Sequence, residues 1–145
     1  MCKIIDPNNK MIFKEYLYLR WLLLRRPLGG KRGTEVDNLE KQSFHRAIID
    51  ENNNMIGVGR IHFTNDIAQI RYMAMKKEFS RKGYGTKLIG ALEKISLNNK
   101  IIKIFLNSRI HAIAFYEKNG YKKINKVSSS FGKNVHYRME KILDN

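Results

Sequence analysis

From Phe79 to Leu88 the chain reads Phe-Ser-Arg-Lys-Gly-Tyr-Gly-Thr-Lys-Leu, a basic turn with two glycines that runs straight into an amphipathic helical pattern. This is the build of an anion-binding helix start. Gly83 and Gly85 let the backbone approach a ligand closely and turn its N–H groups inward, and the first helical turn adds unsatisfied donors and the positive end of its dipole. A pyrophosphate suits such a cradle. Tyr84, Leu88, Leu92 and Ile95 share one face at helical spacing, so the helix can be anchored on a sheet while its start stays open. Taken alone, a glycine pair before a helix also fits a simple turn.

Other chemistries find little support. His45, His62, His111 and His136 are dispersed and, with no paired cysteines, give no metal-site spacing, so no metal is expected. No serine sits in a nucleophile-elbow pattern. The single cysteine, Cys2, excludes an internal disulfide and suits a reducing, cytoplasmic setting. The apolar run Tyr16 to Leu24 is interrupted by Arg20 and bounded by Lys14, Arg25 and Arg26, too short and too charged to span a bilayer; no signal peptide and no membrane partner are expected.

The elements that must position these residues follow from hydrophobic period. A short strand near Lys3 to Ile5 precedes an amphipathic helix from about Ile12 to Arg25, which Pro27 cannot continue comfortably. A glycine-rich basic loop, Arg26 to Thr34, leads to Glu35–Glu40, read as a short acidic helix. From Phe44 the period changes to two: strands Phe44 to Asp50, Met55 to Phe63 and Ile67 to Met75 form a meander. In the third, Ala68, Ile70, Tyr72 and Ala74 should face one side and Gln69, Arg71, Met73 and Met75 the other. Helix Gly83 to Leu97, strand Ile101 to Leu106, helix Arg109 to Lys118 and strands near Tyr121 to Val127 and Asn134 to Lys141 complete a mixed α/β order, expected to form a single domain over residues 1–145.

A second cluster lies downstream: Ile104-Phe105-Leu106-Asn107-Ser108-Arg109, then Ala112-Ile113-Ala114-Phe115-Tyr116-Glu117-Lys118-Asn119-Gly120-Tyr121. Together with the glycine loop, and in this order and spacing, it resembles the GNAT superfamily of acyl-CoA N-acyltransferases over roughly the span from Phe44 onward. The family's loop usually runs Arg or Gln, two residues, Gly, one residue, then Gly or Ala; Gly83 and Gly85 match, while Ser80 stands in the first position with Arg81 one place later. The resemblance implies an α/β (α+β) fold with a mixed, mostly antiparallel central sheet flanked by helices and splayed strands around the acyl-CoA site. It implies acetyl-CoA as acyl donor, an amine acceptor and direct transfer. Arg81, Lys82, Gly83, Tyr84, Gly85 and Thr86 would hold the pyrophosphate, with Arg81, Lys82 and Lys87 placed for its charge and that of the ribose 3′-phosphate, although Lys87 also fits a solvated helix face. Met73 and Met75 would pair with the pantetheine arm through their backbones, and Asn107 would contact that arm. The Met75 N–H would face the thioester carbonyl, and Tyr116 would protonate the departing thiolate. Glu35, Asp37, Glu40 and His62 are candidates to take the amine's proton, and the sequence does not choose among them.

The net charge of +15 demands competing readings. Such a surplus attracts nucleic acid. Yet the lysines and arginines are spread over every segment without a long tract, zinc-finger spacing or ribonucleoprotein aromatic motif, so nucleic acid is not the expected partner. A non-catalytic acyl-CoA-binding relative and a basic nucleic-acid-binding module stand as alternatives, and homodimerisation is common among similar proteins. Polyamine, amino acid, aminoglycoside-like drug and protein amine are all open as acceptors; a small basic amine would need Glu35, Asp37 and Glu40 to line its pocket.

Overall fold

The computed structural model describes residues 1–129, 131–132 and 134–144. Seven strands, β1 (Lys3–Ile5), β2 (Phe44–Ile49), β3 (Met55–Thr64), β4 (Ile67–Met75), β5 (Lys103–Arg109), β6 (Lys122–Ser128) and β7 (Val135–Ile142), form one sheet in the order β1-β2-β3-β4-β5-β7-β6. Every neighbouring pair is antiparallel except β4 and β5. The mixed, mostly antiparallel sheet flanked by helices is the architecture expected from the sequence.

Helix α1 (Lys10–Leu24) starts at Asn9, whose side chain accepts the Ile12 N–H at 2.8 Å, and it covers one face of the sheet through Tyr16 and Leu19, packed on Ala47 and Val58. Helix α2 (Tyr84–Asn98) covers the other face. Its buried Leu88, Ile89, Leu92 and Ile95 meet Ile61, Ile70 and Ile104, and burial of each such side chain contributes about 1.5–3 kcal/mol. Helix α3 (Ile113–Lys118) packs on the α2 side, where Tyr116 and Tyr121 join the same core.

Three elements depart from the sequence reading. Glu35–Glu40 forms turns, with one 3-10 turn at Glu40–Gln42, because the Asp37 and Glu40 carboxylates are drawn to buried arginines rather than left on a solvated helix face. β5 extends to Arg109, paired with His136 of β7, so α3 begins only at Ile113 after a 3-10 turn. In β4 the alternation breaks at Tyr72, whose φ is 56° and where two residues of β4 face one of β3. This β-bulge changes the phase of the strand. Ala68 and Ile70 lie in the α2-side core as expected, but Met73 and Met75 join that same side, while Ala74 packs under α1.

Candidate active site

The bulge and the end of β4–β5 pairing together open the sheet. β4 and β5 are joined only at Ile67–Lys103, Ala68–Ile104 and Gln69–Phe105; beyond these the strands separate. On the other side of β4, the Lys76 N–H donates to the Ile56 carbonyl at 2.8 Å, straddling the Gly57–Met75 pair. In antiparallel geometry such a straddled pair exchanges no hydrogen bonds of its own, so the Met75 N–H points away from β3 and into the gap. Met73 stands two residues earlier on the same edge.

The gap is the floor of a cleft of about 1130 Å3 that passes from the α2 side of the sheet to the α1 side. On the α2 side it is lined by Ser80, Arg81, Gly83, Gly85 and Thr86. Gly83 is the N-cap of α2, with φ 84° and no side-chain cap. A Cβ there would meet nothing within 4 Å, so the left-handed turn opens onto free space. A Cβ at Gly85 would stand 3.0 Å from the Phe115 ring, and this glycine lets α2 start close against α3. Met73, Met75 and Asn107 also line the cleft; Lys82 and Tyr84 are not among its lining residues, and their side chains lie by the Phe79 ring. Lys87 is committed elsewhere, its Nζ donating to the Cys2 carbonyl at 2.7 Å.

Tyr116 borders the gap from α3. Its ring is buried against Phe115 and Tyr121, and among the described residues its hydroxyl has no hydrogen-bond partner. Burial pushes the phenol up to about 12 against the opposing pull of Arg109, which keeps the hydroxyl protonated throughout the neutral range.

The four candidate bases stand elsewhere. Asp37 is bound by Arg60 at 2.7 and 3.0 Å and by Arg71 at 2.7 Å; Glu40 takes Arg20 and Arg60, each at 2.9 Å; Glu35 is buried and accepts the Gly33 N–H at 2.7 Å. His62 is buried with Nδ1 3.2 Å from Arg60, and burial, with the charge of Arg60, lowers its pKa. None of the four lines the cleft. The acidic acceptor pocket considered from the sequence is therefore not the arrangement found. Among the described residues no carboxylate lines the cleft, whereas Arg25, Arg71, Lys77, Arg81, Arg109 and Lys118 do. His136, which the sequence did not single out, lines it too. Burial and then the charges of Arg109 and Arg25 lower its pKa, so it is neutral at pH 7 and able to accept a proton.

Asp37 gives an acid-stability prediction. Burial raises its carboxyl, but hydrogen bonds from Arg60 and the Leu39 N–H, with the charges of Arg60 and Arg71, outweigh that and hold it at about 2. A folded pKa below the ordinary 3.8 means stability that is complete above that value and lost as pH falls toward about 2. Thermal melts between pH 5 and 2, at roughly half-unit steps, should show a steeper decline for the wild type than for Asp37→Asn; equal slopes would refute the assignment.

The sequence profile of the acetyltransferase (GNAT) family matches residues 13–121. The chain belongs to this family. The GNAT chain is 25% identical over 120 residues to YjcF of Bacillus subtilis, an uncharacterized N-acetyltransferase, covering 83% of this chain and 85% of that one. Its fold matches a GNAT-family acetyltransferase from Staphylococcus aureus Mu50 with a TM-score of 0.78 at 19% identity, covering 99% of this chain and 100% of the other. An aminoglycoside 6'-N-acetyltransferase complexed with coenzyme A matches with a TM-score of 0.79 at 17% identity, covering 100% and 98%. Among the described residues no helix is long and apolar enough to cross a membrane, and no cluster of potential metal ligands occurs.

Proposed function

We propose that this GNAT chain is an N-acetyltransferase that moves an acetyl group from acetyl-CoA directly to a primary amine. The observation that carries the reading is the through-sheet gap, where an uncapped glycine helix start, the inward Met75 N–H and the protonated Tyr116 hydroxyl border one cleft. The residues present fit the donor. Backbone N–H groups at Gly83, Tyr84, Gly85 and Thr86 would hold its pyrophosphate, with Arg81 and Lys82 adding charge. The open edge of Met73 and Met75 offers main-chain groups to an extended arm, and Asn107 stands across the gap.

Bound acetyl-CoA supplies a thioester whose carbonyl carbon is open to attack by a neutral amine and whose sulfur leaves as a thiolate. The Met75 N–H, turned into the gap, would stabilise the negative charge that develops on the carbonyl oxygen, an effect of about 3 kcal/mol in preorganised sites. Tyr116 Oη donates its proton to the sulfur. On the acceptor side His136 Nδ1 or Nε2 takes the proton that the amine must shed, directly or through one water. All these groups come from one chain, and the lone thiol of Cys2 suits the cytoplasm.

The test is calorimetric titration of acetyl-CoA into the wild type and Gly83→Trp. A side chain at the left-handed position costs about 1–2 kcal/mol, which a melt will show the fold survives, while the indole fills the cradle. Wild-type binding weakened roughly tenfold or more by the substitution, at least about 1.4 kcal/mol, is expected. No wild-type binding at low salt would sink the reading.

A further inference from the structure

Donor chemistry leaves one end of the cleft without a task. On the α1 side, Arg25 and Arg109 converge beneath the end of α1. Arg25 is buried and donates from Nε to the Thr34 carbonyl at 2.9 Å and from Nη1 to the Leu24 carbonyl at 3.3 Å. Arg109 donates from Nη2 to that same Leu24 carbonyl at 3.1 Å. These bonds hold both guanidinium planes in place and neutralise neither. Among the described residues no carboxylate pairs with Arg25 or Arg109, and burial, then the charges of Arg71 and Arg109, lower the pKa of Arg25. The contrast on the same face is sharp, for Arg20 and Arg60 are matched by Asp37 and Glu40, and Arg71 binds Asp37. His136 sits directly across from Arg109 in the β5–β7 register, so its side chain shares this face.

Two like charges held together in a partly buried cleft need an anion, and guanidinium groups recognise carboxylate and phosphate oxygens best. Resting on the acetyl-transfer reading, we propose that Arg25 and Arg109 bind an anionic group on the acceptor. The substrate is then a small amine that carries a carboxylate or phosphate close to its reacting nitrogen, with His136 beside that nitrogen. The same cluster rejects polycations, because the cleft brings no carboxylate to meet them. The donor's phosphates do not account for it, since their cradle at Gly83 lies on the opposite side of the sheet.

Thiol release from acetyl-CoA would be followed with matched acceptors: a set of L-amino acids, each against its own carboxamide, and phosphoethanolamine against ethanolamine. The anionic member should win by roughly tenfold or more in kcat/KM, the carboxylate and phosphate pairs showing which anion is preferred. In Arg109→Gln and Arg25→Gln the preference should collapse through a raised KM, with acetyl-CoA affinity unchanged by calorimetry. Preference for the neutral members, an anion preference that survives both substitutions, or an equal loss of acetyl-CoA affinity would each overturn the proposal. A second arm needs no acyl donor: N-acetylglycine and N-acetylglycinamide are titrated while the arginine Nε–H signals are followed by NMR. Selective shifts with the carboxylate, lost in the Gln variants, support the anion site; identical responses to the two probes, or none, overturn it. A wild type that fails to bind acetyl-CoA yet shifts with N-acetylglycine would sink the acetyl-transfer reading and leave the anion site standing.

Discussion

Arg60→Met is expected to destabilise the fold by about 3 kcal/mol, the low end of what removing one partner from a buried ion pair costs, and to lower the melting midpoint by roughly 10 °C. Arg60 has no exposed surface, and its guanidinium joins Asp37 to Glu40 while lying 4.9 Å from the Tyr72 ring centre. Methionine of similar length refills the volume but leaves two carboxylates short of a donor. Asp37 keeps Arg71 and Glu40 keeps Arg20, which is why the loss sits at the low end. Arg60→Lys should recover only part of it, since an ammonium cannot reach both acids in the planar geometry a guanidinium allows. Chemical and thermal unfolding followed by circular dichroism check the prediction, and a midpoint shift within about 2 °C would refute it. The network ties the 35–40 segment to the sheet on the α1 face, where Tyr72 is ringed by Arg20 at 4.2 Å, Arg71 at 4.6 Å and Arg25 at 5.5 Å. Its loss should also loosen the α1-side end of the cleft.

This network marks the boundary of what the sequence discloses. The α2 start was legible, because Gly83 and Gly85 carry a local conformational requirement and the Leu88–Leu92–Ile95 stripe fixes the anchored face. The strand order along the meander was legible for the same reason. The bulge was not. Tyr72 carries no glycine signal for a positive φ, and it is held there by cations contributed from α1, β3 and β4, contacts that only the tertiary fold assembles. That one residue then decides which side of the sheet Met73 and Met75 take. Charge was misleading by the same mechanism. Glu35, Asp37 and Glu40 read as an acidic patch in one dimension, but in three, buried arginines from α1 and β3 cover Asp37 and Glu40, and Glu35 is buried with its carboxylate turned to the Gly33 N–H and Arg32. Part of the surplus that suggested a nucleic-acid surface is thus internal wiring, with Arg20 and Arg60 wholly buried and Arg25 and Arg109 turned into the cleft.

Tyr116→Phe should lower kcat by about 100-fold, the lower range for loss of a positioned general acid, while leaving the KM for acetyl-CoA within about twofold. The substitution is clean because the ring stays. Phe115 and Tyr121 pack on it edge-on with centroids 5.1 and 5.9 Å away, contacts that phenylalanine preserves. No described residue bonds the hydroxyl, so its removal orphans no partner and the melting midpoint should hold or rise slightly. A fall in kcat alone therefore reports chemistry rather than folding or donor binding. The pH profile separates the roles further. With its pKa pushed up to about 12, Tyr116 stays protonated across any workable assay range, so it contributes no alkaline limb to the wild-type rate. An acidic limb is expected instead from a base titrating below the ordinary histidine value, as His136 does, and it should persist in Tyr116→Phe at the reduced rate. Unchanged kcat in the variant would assign the thiolate's proton to solvent and return Tyr116 to the core, because a hydroxyl that moves no proton leaves the ring only its packing.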